Sequence, residues 1–448
     1  VPEKLILSPR KLSLNEAIAL ALRNNPAVKI SELQRILDKF GLELAIHTNY
    51  GVQWNPLTFS PTIQNGALPT WATTAGFTVK TPVGTTFGVA HTNNLLGGMG
   101  STALTMTQPL LQNFGLEFNR IPYQNALDSE KVARLTFKNS VITVVVGVIT
   151  DYRALVQQYD SLDEDKKSLA SQEQQVVNDK LQVKVGQMAP SDLLQQQENV
   201  ESTRLSLVQA EETLRDAYLT FLSQLGLIPS TRLTIDRGIS VSGEKVPTLN
   251  HCIQLSLVHN IAYRSALLQL DITKRALITA NNARKWTLNM VTSATETGQR
   301  SGVGQPILDT STNPQIAFNL SIPIDNISLK QAVVSAKIGI EDAKLNLEQQ
   351  KENLVRQIMD QWDSIHNQYE QILVAEKALQ MQEKTLQNAK LKMKYGRSSM
   401  FEVNTLETSL LTQQVNLIST KISYLNAITS LYQTMGLTLE KWHIKLRY

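Results

Sequence analysis

The feature that most restricts how this chain can fold is an internal duplication. Leu181-x-x-Lys184-x-Gly186 recurs 210 residues later as Leu391-x-x-Lys394-x-Gly396, and the same offset carries Gly226-Leu227 onto Gly436-Leu437. Val148, Leu155, Leu162, Leu169, Val176 and Val183 fall every seventh residue; their counterparts are Ile358, Ile365, Ile372, Leu379, Leu386 and Met393. A second run follows each glycine, with Leu193, Val200, Leu207, Leu214 and Phe221 matched by Val403, Leu410, Leu417, Tyr424 and Leu431.

A strict seven-residue apolar repeat makes helices supercoil left-handed around their neighbours. Three residues after the first seam stand Gln361, Gln368, Ala375, Gln382 and Ala389, all small or polar. So narrow a seam suits helices packed side by side in a wall with polar faces on both sides. The starts of the repeats also match, because Leu14-Asn15-x-x-Ile18 recurs as Leu249-Asn250-x-x-Ile253 at an offset of 235. The first repeat must therefore carry about 25 extra residues in its middle.

That middle changes character. Between Tyr50 and Leu116 the only charged residue is Lys80, and alternation replaces the heptads. Leu104 and Met106 alternate with Thr105 and Thr107 before Gln108-Pro109. Ile316, Phe318, Leu320 and Ile322 alternate with Ala317, Asn319 and Ser321 before Pro323, and Trp286, Leu288 and Met290 supply the partner strand. Apolar residues on one face and small uncharged polar ones on the other suit a strand between lipid and a watery lumen, as they suit a soluble sandwich. One hairpin per repeat gives four strands per chain, too few to close a pore, so three copies would supply twelve. The surplus in the first repeat is either an extra hairpin or longer loops.

The longest apolar stretch, Val141 to Thr150, sits in a run of 12 uncharged residues between Lys138 and Asp151. A spanning helix needs roughly 18–20, so a bilayer would be crossed by closed strands. Val1-Pro2-Glu3-Lys4 contains no apolar run, as expected of a processed chain or of one never exported. The net charge of +4, from 43 basic and 39 acidic residues, includes no basic block to hold nucleic acid. The single cysteine, Cys252, allows no internal disulfide. The six histidines show no i, i+3 or i, i+4 pairing that would bind a metal, and no nucleophile elbow or phosphate loop appears in its proper context. An enzyme is not expected, nor any cofactor or metal.

In this order, duplicated at a fixed offset, these features resemble the TolC-like outer-membrane factor family. The likeness rests on Leu14-Asn15-x-Ala17-Ile18 with its echo at Leu249, on Gln108-Pro109-Leu110-Leu111, and on the turns around Gly186 and Gly396. It rests also on the closings Leu225-Gly226-Leu227 and Met435-Gly436-Leu437. The resemblance covers roughly Leu12 to Leu437. It implies a mainly α fold with a β-barrel part: long coiled-coil helices forming an α-barrel tunnel, plus four strands per chain in a trimeric 12-stranded transmembrane β-barrel. It implies an exit duct for drugs, other small molecules or secreted proteins, set in the outer membrane of a Gram-negative bacterium with a large periplasmic part. The expected partners are two further copies, outer-membrane lipid, a periplasmic adaptor and an inner-membrane pump of the RND or ABC type. The alternative is a soluble coiled-coil scaffold with a small β domain.

The first repeat is expected over 1–227, with strands at about 48–110 and long helices over 113–226. The second covers 228–448: an equatorial segment 228–247, a helix 248–284, strands at 286–324, long helices 328–436 and a C-terminal segment 437–448. Lys330 to Tyr395 would make either one helix of about 100 Å or two stacked ones. The family's periplasmic entrance maps onto the two turns. Asp192 and Glu402, each six residues after its glycine, would narrow it, with Arg397 as a substitute latch partner because Ser398 and Thr405 stand where the family pattern has arginine and an acid. Gly186, Gly396, Lys184 and Lys394 would form the tips that meet the adaptor. Asp192 and Glu402 read equally well as acids stabilising helix N-termini.

Overall fold

A computed structural model describes residues 11–62, 70–94, 98–238, 246–300, 308–324 and 326–446. Parts of the expected equatorial segment (239–245) and of the C-terminal segment (447–448) lie outside the described residues.

The chain forms two compact units. The first comprises 1–32, 137–261 and 351–448 and is built on the duplicated helices. Its helices are α1 (Leu14–Asn24), the start of α2 (Pro26–Tyr50), most of α4 (Ile121–Lys184) and α5 (Pro190–Gln224), with their counterparts α6 (Leu249–His259), the end of α8 (Ile327–Lys394) and α9 (Met400–Met435). α8 runs unbroken, so the stretch read as one helix or two is one. Eight of the twelve heptad positions on the first seam are buried: Val148, Leu155, Leu162 and Val176 on α4, and Ile358, Ile365, Ile372 and Leu386 on α8. The polar positions beside that seam bind across it. Gln361 donates to the Ser430 and Thr434 hydroxyls at 3.2 and 3.0 Å, and Gln382 donates to the Leu406 carbonyl at 3.2 Å. These bonds pair the amide nitrogens with polar groups that a narrow seam cannot exclude, while the Gln361 Oε1 is buried without a partner.

An 18-residue window of α4 is apolar enough to cross a membrane by composition alone. Its Val141, Ile142, Val145, Val148 and Ile149 are instead the centre of the first unit's core, packed with Ala17, Ile18, Phe221 and Leu225. Around this core the chain forms a belt. Strand β1 (Lys11–Leu12) pairs in parallel with β6 (Thr234–Ile235), and the Tyr152 hydroxyl donates to the Leu12 carbonyl at 3.1 Å. The short helix α10 (Thr438–Lys441) adds Leu439, followed by Trp442 and Ile444.

The duplication extends to the backbone caps. Gly186, Gly226, Gly396 and Gly436 all adopt φ between +69 and +75°. Each closes its helix with the pair of backbone bonds that satisfies the last carbonyls, such as Leu227 N–H to the Leu222 carbonyl and Leu437 N–H to the Tyr432 carbonyl, both 2.9 Å. The expected helix 248–284 is interrupted at Asn260, as its counterpart is at Asn25. Both breaks have a purpose in packing. The Asn25 amide donates to the Gln224 carbonyl at 2.7 Å, and the Asn260 amide donates to the Thr434 carbonyl at 2.8 Å.

The second unit comprises 33–136 and 262–350. It holds parts of α2, α4 and α8, the short helix α3 (Leu116–Asn119), α7 (Ile261–Ala283) and one sheet. That sheet corrects the expected strand count. It has six strands, ordered β2 (Val52–Thr62), β3 (Thr70–Lys80), β4 (Thr86–Asn94), β5 (Gly98–Pro109), β7 (Thr287–Arg300) and β8 (Leu308–Ser321), each antiparallel to its neighbours. The surplus of 25 residues is thus an extra hairpin, β3–β4. Its turn at Thr81–Thr85 is closed by Thr81 N–H to the Thr85 carbonyl at 2.8 Å, with Gly84 at φ +101°.

Candidate functional site

Cross-strand register decides which side chains share a face of the sheet. One row runs Val52, Val79, Phe87, Met106, Thr292, Ile316; the next runs Trp54, Phe77, Val89, Leu104, Ala294, Pro314. Met290 pairs with Phe318 and Leu288 with Leu320 on the same face. The Trp54 and Phe77 rings lie 5.3 Å apart, as same-face neighbours must. The opposite face reads Gln53, Thr78, Gly88, Thr105, Ser293, Gln315, and then Thr74, Thr92, Ser101, Thr297, Ser311. There the Thr74 and Thr92 hydroxyls meet at 3.3 Å, and those of Thr297 and Ser311 at 2.9 Å. The sheet is therefore apolar on one side and hydroxyl- and amide-lined on the other.

Among the described residues of the second unit, nothing covers the apolar side. Trp54, Phe59, Phe87, Leu104, Ile316, Phe318 and Leu320 are all exposed. A band of this extent on a soluble surface would be unusual without a partner or a lipid phase against it. One step along the same face the row becomes His91, Thr102, Glu296 and Thr312, so polar residues bound the band.

Beneath the sheet, still in the second unit, lies a buried ionic group. Arg35 and Arg134 both hydrogen-bond Glu130, while Lys131 and Arg275 bind Asp128. Burial by itself would raise the pKa of each acid, but the hydrogen bonds and charges of these cations outweigh it and hold both below the ordinary carboxylate value. These residues fix α2 and α7 against α4. Sequence reading missed the group because Arg35 and Arg275 lie 95 and 147 residues from the acids they bind.

The two turns of the first unit are built alike. Lys184 and Lys394 are the last residues of α4 and α8, exposed where a cation complements the helix dipole. Asp192 and Glu402 both sit in the first turn of the following helix, exposed. Glu402 accepts the Ser398 hydroxyl at 2.8 Å, and its own N–H donates to the Ser399 hydroxyl at 3.2 Å. The Ser191 hydroxyl donates to Asp192 at 3.3 Å. Among the described residues no ion pair joins Asp192 to Arg397; the Arg397 N–H instead closes the Gly396 turn on the Lys392 carbonyl at 2.8 Å.

What joins the two helical hairpins near the tips is amide chemistry. Asn404 donates to Gln196, itself 2% exposed, and Gln175 reaches the Met400 sulfur at 3.7 Å. A cavity of about 490 Å³ opens beside this contact, with Asp192, Gln195, Phe401 and Thr405 among its walls. Farther along, buried Arg153 of α4 donates to the Leu425 carbonyl and the Thr429 hydroxyl of α9, both at 2.8 Å.

Asp179 lies close to this contact in the chain and is 1% exposed, with one oxygen accepting from Gln175 at 2.9 Å and the other unbonded. Burial raises its pKa, opposed only in part by Gln175. A carboxyl raised in the folded state stabilises while protonated, and that contribution is lost as pH rises through the folded pKa. Asp179→Asn is therefore expected to raise the melting temperature at pH 7–8, by a stabilisation on the order of 1 kcal/mol. The gain should vanish as pH falls below the ordinary aspartate value. A gain independent of pH would show that the ionised carboxylate is not the cause.

No protein-family model matches the sequence, and no curated protein does. Solved structures match along almost the whole chain. The outer membrane channel CmeC of Campylobacter jejuni superposes with a TM-score of 0.73 at 15% identity, over 95% of this chain and 86% of that one. The outer membrane protein VceC of Vibrio cholerae gives 0.72 at 15%, over 94% and 96%. CusC, which forms a transmembrane channel, gives 0.72 at 18%, over 97% and 96%. This chain shares their TolC-like fold.

Proposed function

We propose that this chain is one subunit of a homotrimeric exit duct in the outer membrane of a Gram-negative bacterium, with a large periplasmic part and no chemistry of its own. The observation that carries the reading is the six-stranded sheet, whose uncovered apolar face opposes a face lined by hydroxyls and amides. A soluble scaffold would cover that apolar face with its own chain. Self-association is supported by two further uncovered stripes in the second unit. Leu33, Ile36, Leu37, Phe40 and Leu44 form one on α2, and Val334, Ile338 and Leu345 form another on α8. Two different stripes on one chain favour a head-to-tail contact that closes by rotation.

In this reading an inner-membrane pump of the RND or ABC type supplies the energy. A periplasmic adaptor meets the turns at Gly186 and Gly396 with Lys184 and Lys394, and drugs, other small molecules or secreted proteins leave through the lumen. Three copies of Glu402, joined by Asp192, narrow the entrance and favour cations. Arg397 is the adjacent cation through which they are relaxed. Planar-bilayer conductance of the detergent-purified protein tests this. Discrete long-lived steps, with cation preference reduced in Glu402→Ala, are expected. Steps indifferent to the variant would keep the duct and remove the acidic ring; no steps at all would remove the duct.

A further inference from the structure

The sheet has two open edges, β2 and β8, and their chemistry says what fills them. We infer that β8 of one copy pairs with β2 of the next, so that three chains close a single ring of eighteen strands instead of twelve. The inference rests on the trimeric reading above and adds the seam and the strand number.

Three observations carry it. First, six strands alternate in direction, so β2 and β8 run antiparallel to each other. Rotation therefore brings β8 against an antiparallel β2, with no parallel seam. An even strand count per chain is what this requires, and closed bilayer barrels of this kind are antiparallel and even. Second, the apolar rows run right to both edges, ending on Val52 and Trp54 at one side and on Ile316 and Pro314 at the other, with Phe318 and Leu320 continuing the apolar face along β8. An edge inside hydrocarbon would leave a column of backbone donors and acceptors unpaired, which lipid does not tolerate. Third, the usual protection of a free edge is missing. β2 contains no charged residue, and neither does β8 from Thr310 to Ser321. Soluble edges of this length carry lysines, inward charges or a covering segment. Prolines do occur in both outer strands, at Pro56, Pro61 and Pro314. Each removes a single donor, and Pro56 lies where the β2–β3 register already shifts, so the seam is thinned and not abolished.

The consequence is a wider bore. Barrel diameter grows roughly in proportion to strand number, so eighteen strands give about one and a half times the width of twelve. The inner face, with Gln53, Thr78, Thr105, Ser293 and Gln315 in one row, offers that lumen mainly hydroxyls and amides, and Lys80 shares the face two residues on from Thr78.

The test combines copy number with a seam-specific cross-link on the full chain in detergent. Thr58→Cys on β2 is combined in turn with Gln315→Cys, Ala317→Cys and Asn319→Cys on β8, all on the hydroxyl-lined face. Single-cysteine chains serve as controls, since the native Cys252 is buried. The inference expects a trimer by native mass spectrometry, and oxidation that converts monomer to covalent trimer in at least one pairing but in no control. It also expects slow hydrogen exchange at the β2 and β8 amides. A trimer with no cross-link and fast-exchanging β2 and β8 overturns the eighteen-strand ring and leaves the trimeric duct standing. A dimer linked at the same seam would close twelve strands and overturn both readings.

Discussion

Arginine in place of Phe318 should prevent the sheet from entering a membrane, whereas arginine at Asn319, one residue on, should be accepted. Phe318 is 64% exposed and pairs with Met290 in the apolar band; Asn319 pairs with Asn289 on the hydroxyl-lined face. A charge on the lipid face near the bilayer midplane costs about 2–4 kcal/mol per chain, and a lumen-facing charge costs little. In the proposed trimer the penalty would reach the order of 6–12 kcal/mol. The measurement is the amount of oligomer recovered from the outer-membrane fraction, and its melting temperature in detergent. Equal loss in both variants would point to a packed soluble sheet. Loss at Asn319 alone would turn the sheet inside out.

Alanine at Gly436 should cost far more than alanine at Gly396, although the two glycines share a backbone conformation. Their φ angles are +73 and +69°, so the left-handed strain of about 1–2 kcal/mol is common to both. The surroundings differ. A Cβ at Gly436 would stand 2.5 Å from the His259 carbonyl oxygen, where α9 is held against the break at Asn260. A Cβ at Gly396 meets nothing within 4 Å. Overpacking of this kind costs about 1–3 kcal/mol, which brings Gly436→Ala to about 2–5 kcal/mol in total. The first repeat offers a replicate, since a Cβ at Gly226 would approach the Asn24 carbonyl oxygen to 2.6 Å, while Gly186 is open. Denaturant midpoints of the four variants should fall into two pairs. Four equal shifts would mean that the close approaches do not constrain the helix ends.

These two sites differ in how visible they are in the sequence. The heptads are legible because burial on a narrow seam leaves a seven-residue trace that side-chain chemistry cannot disguise, and Ile358, Ile365 and Ile372 are buried as their spacing implies. The helix-ending glycines are legible for the same reason: the backbone there excludes most other residues. The strand number is not. Within β3 and β4 the period-two contrast rests on Phe77, Val79, Phe87 and Val89, set among threonines, alanines and glycines. Gly76 stands opposite Ala90 and Gly88 opposite Thr105, so one side of the pattern has almost no signal. The 25-residue surplus measured the extra chain without stating its conformation, though Pro82-Val83-Gly84 is a turn signal that could have divided it.

The tips were legible as positions and not as contacts. Spacing from Gly186 and Gly396 placed Asp192 and Glu402 in equivalent first turns, as found. The amides that join the hairpins, Gln196 and Asn404, lie 208 residues apart, off the 210-residue register, and read as ordinary surface residues on their helices. Breaks at Asn25 and Asn260 were likewise hidden. Only the first is followed by a proline, and the hydrogen bond that explains each runs to a helix end 199 or 174 residues away.

The inserted β3–β4 hairpin also constrains how such a molecule can change over time. A single added strand would deliver the chain to the opposite side of the sheet, and α4 with everything after it would emerge facing the wrong way. A hairpin returns the chain to the side it left, so α3 and α4 begin as though nothing had intervened. The 25 residues from Thr70 to Asn94 can therefore be gained or lost as one unit without altering a helix. In the proposed duct, pore calibre and tunnel length would then be separately heritable, the first adjustable in paired strands and the second in turns of helix.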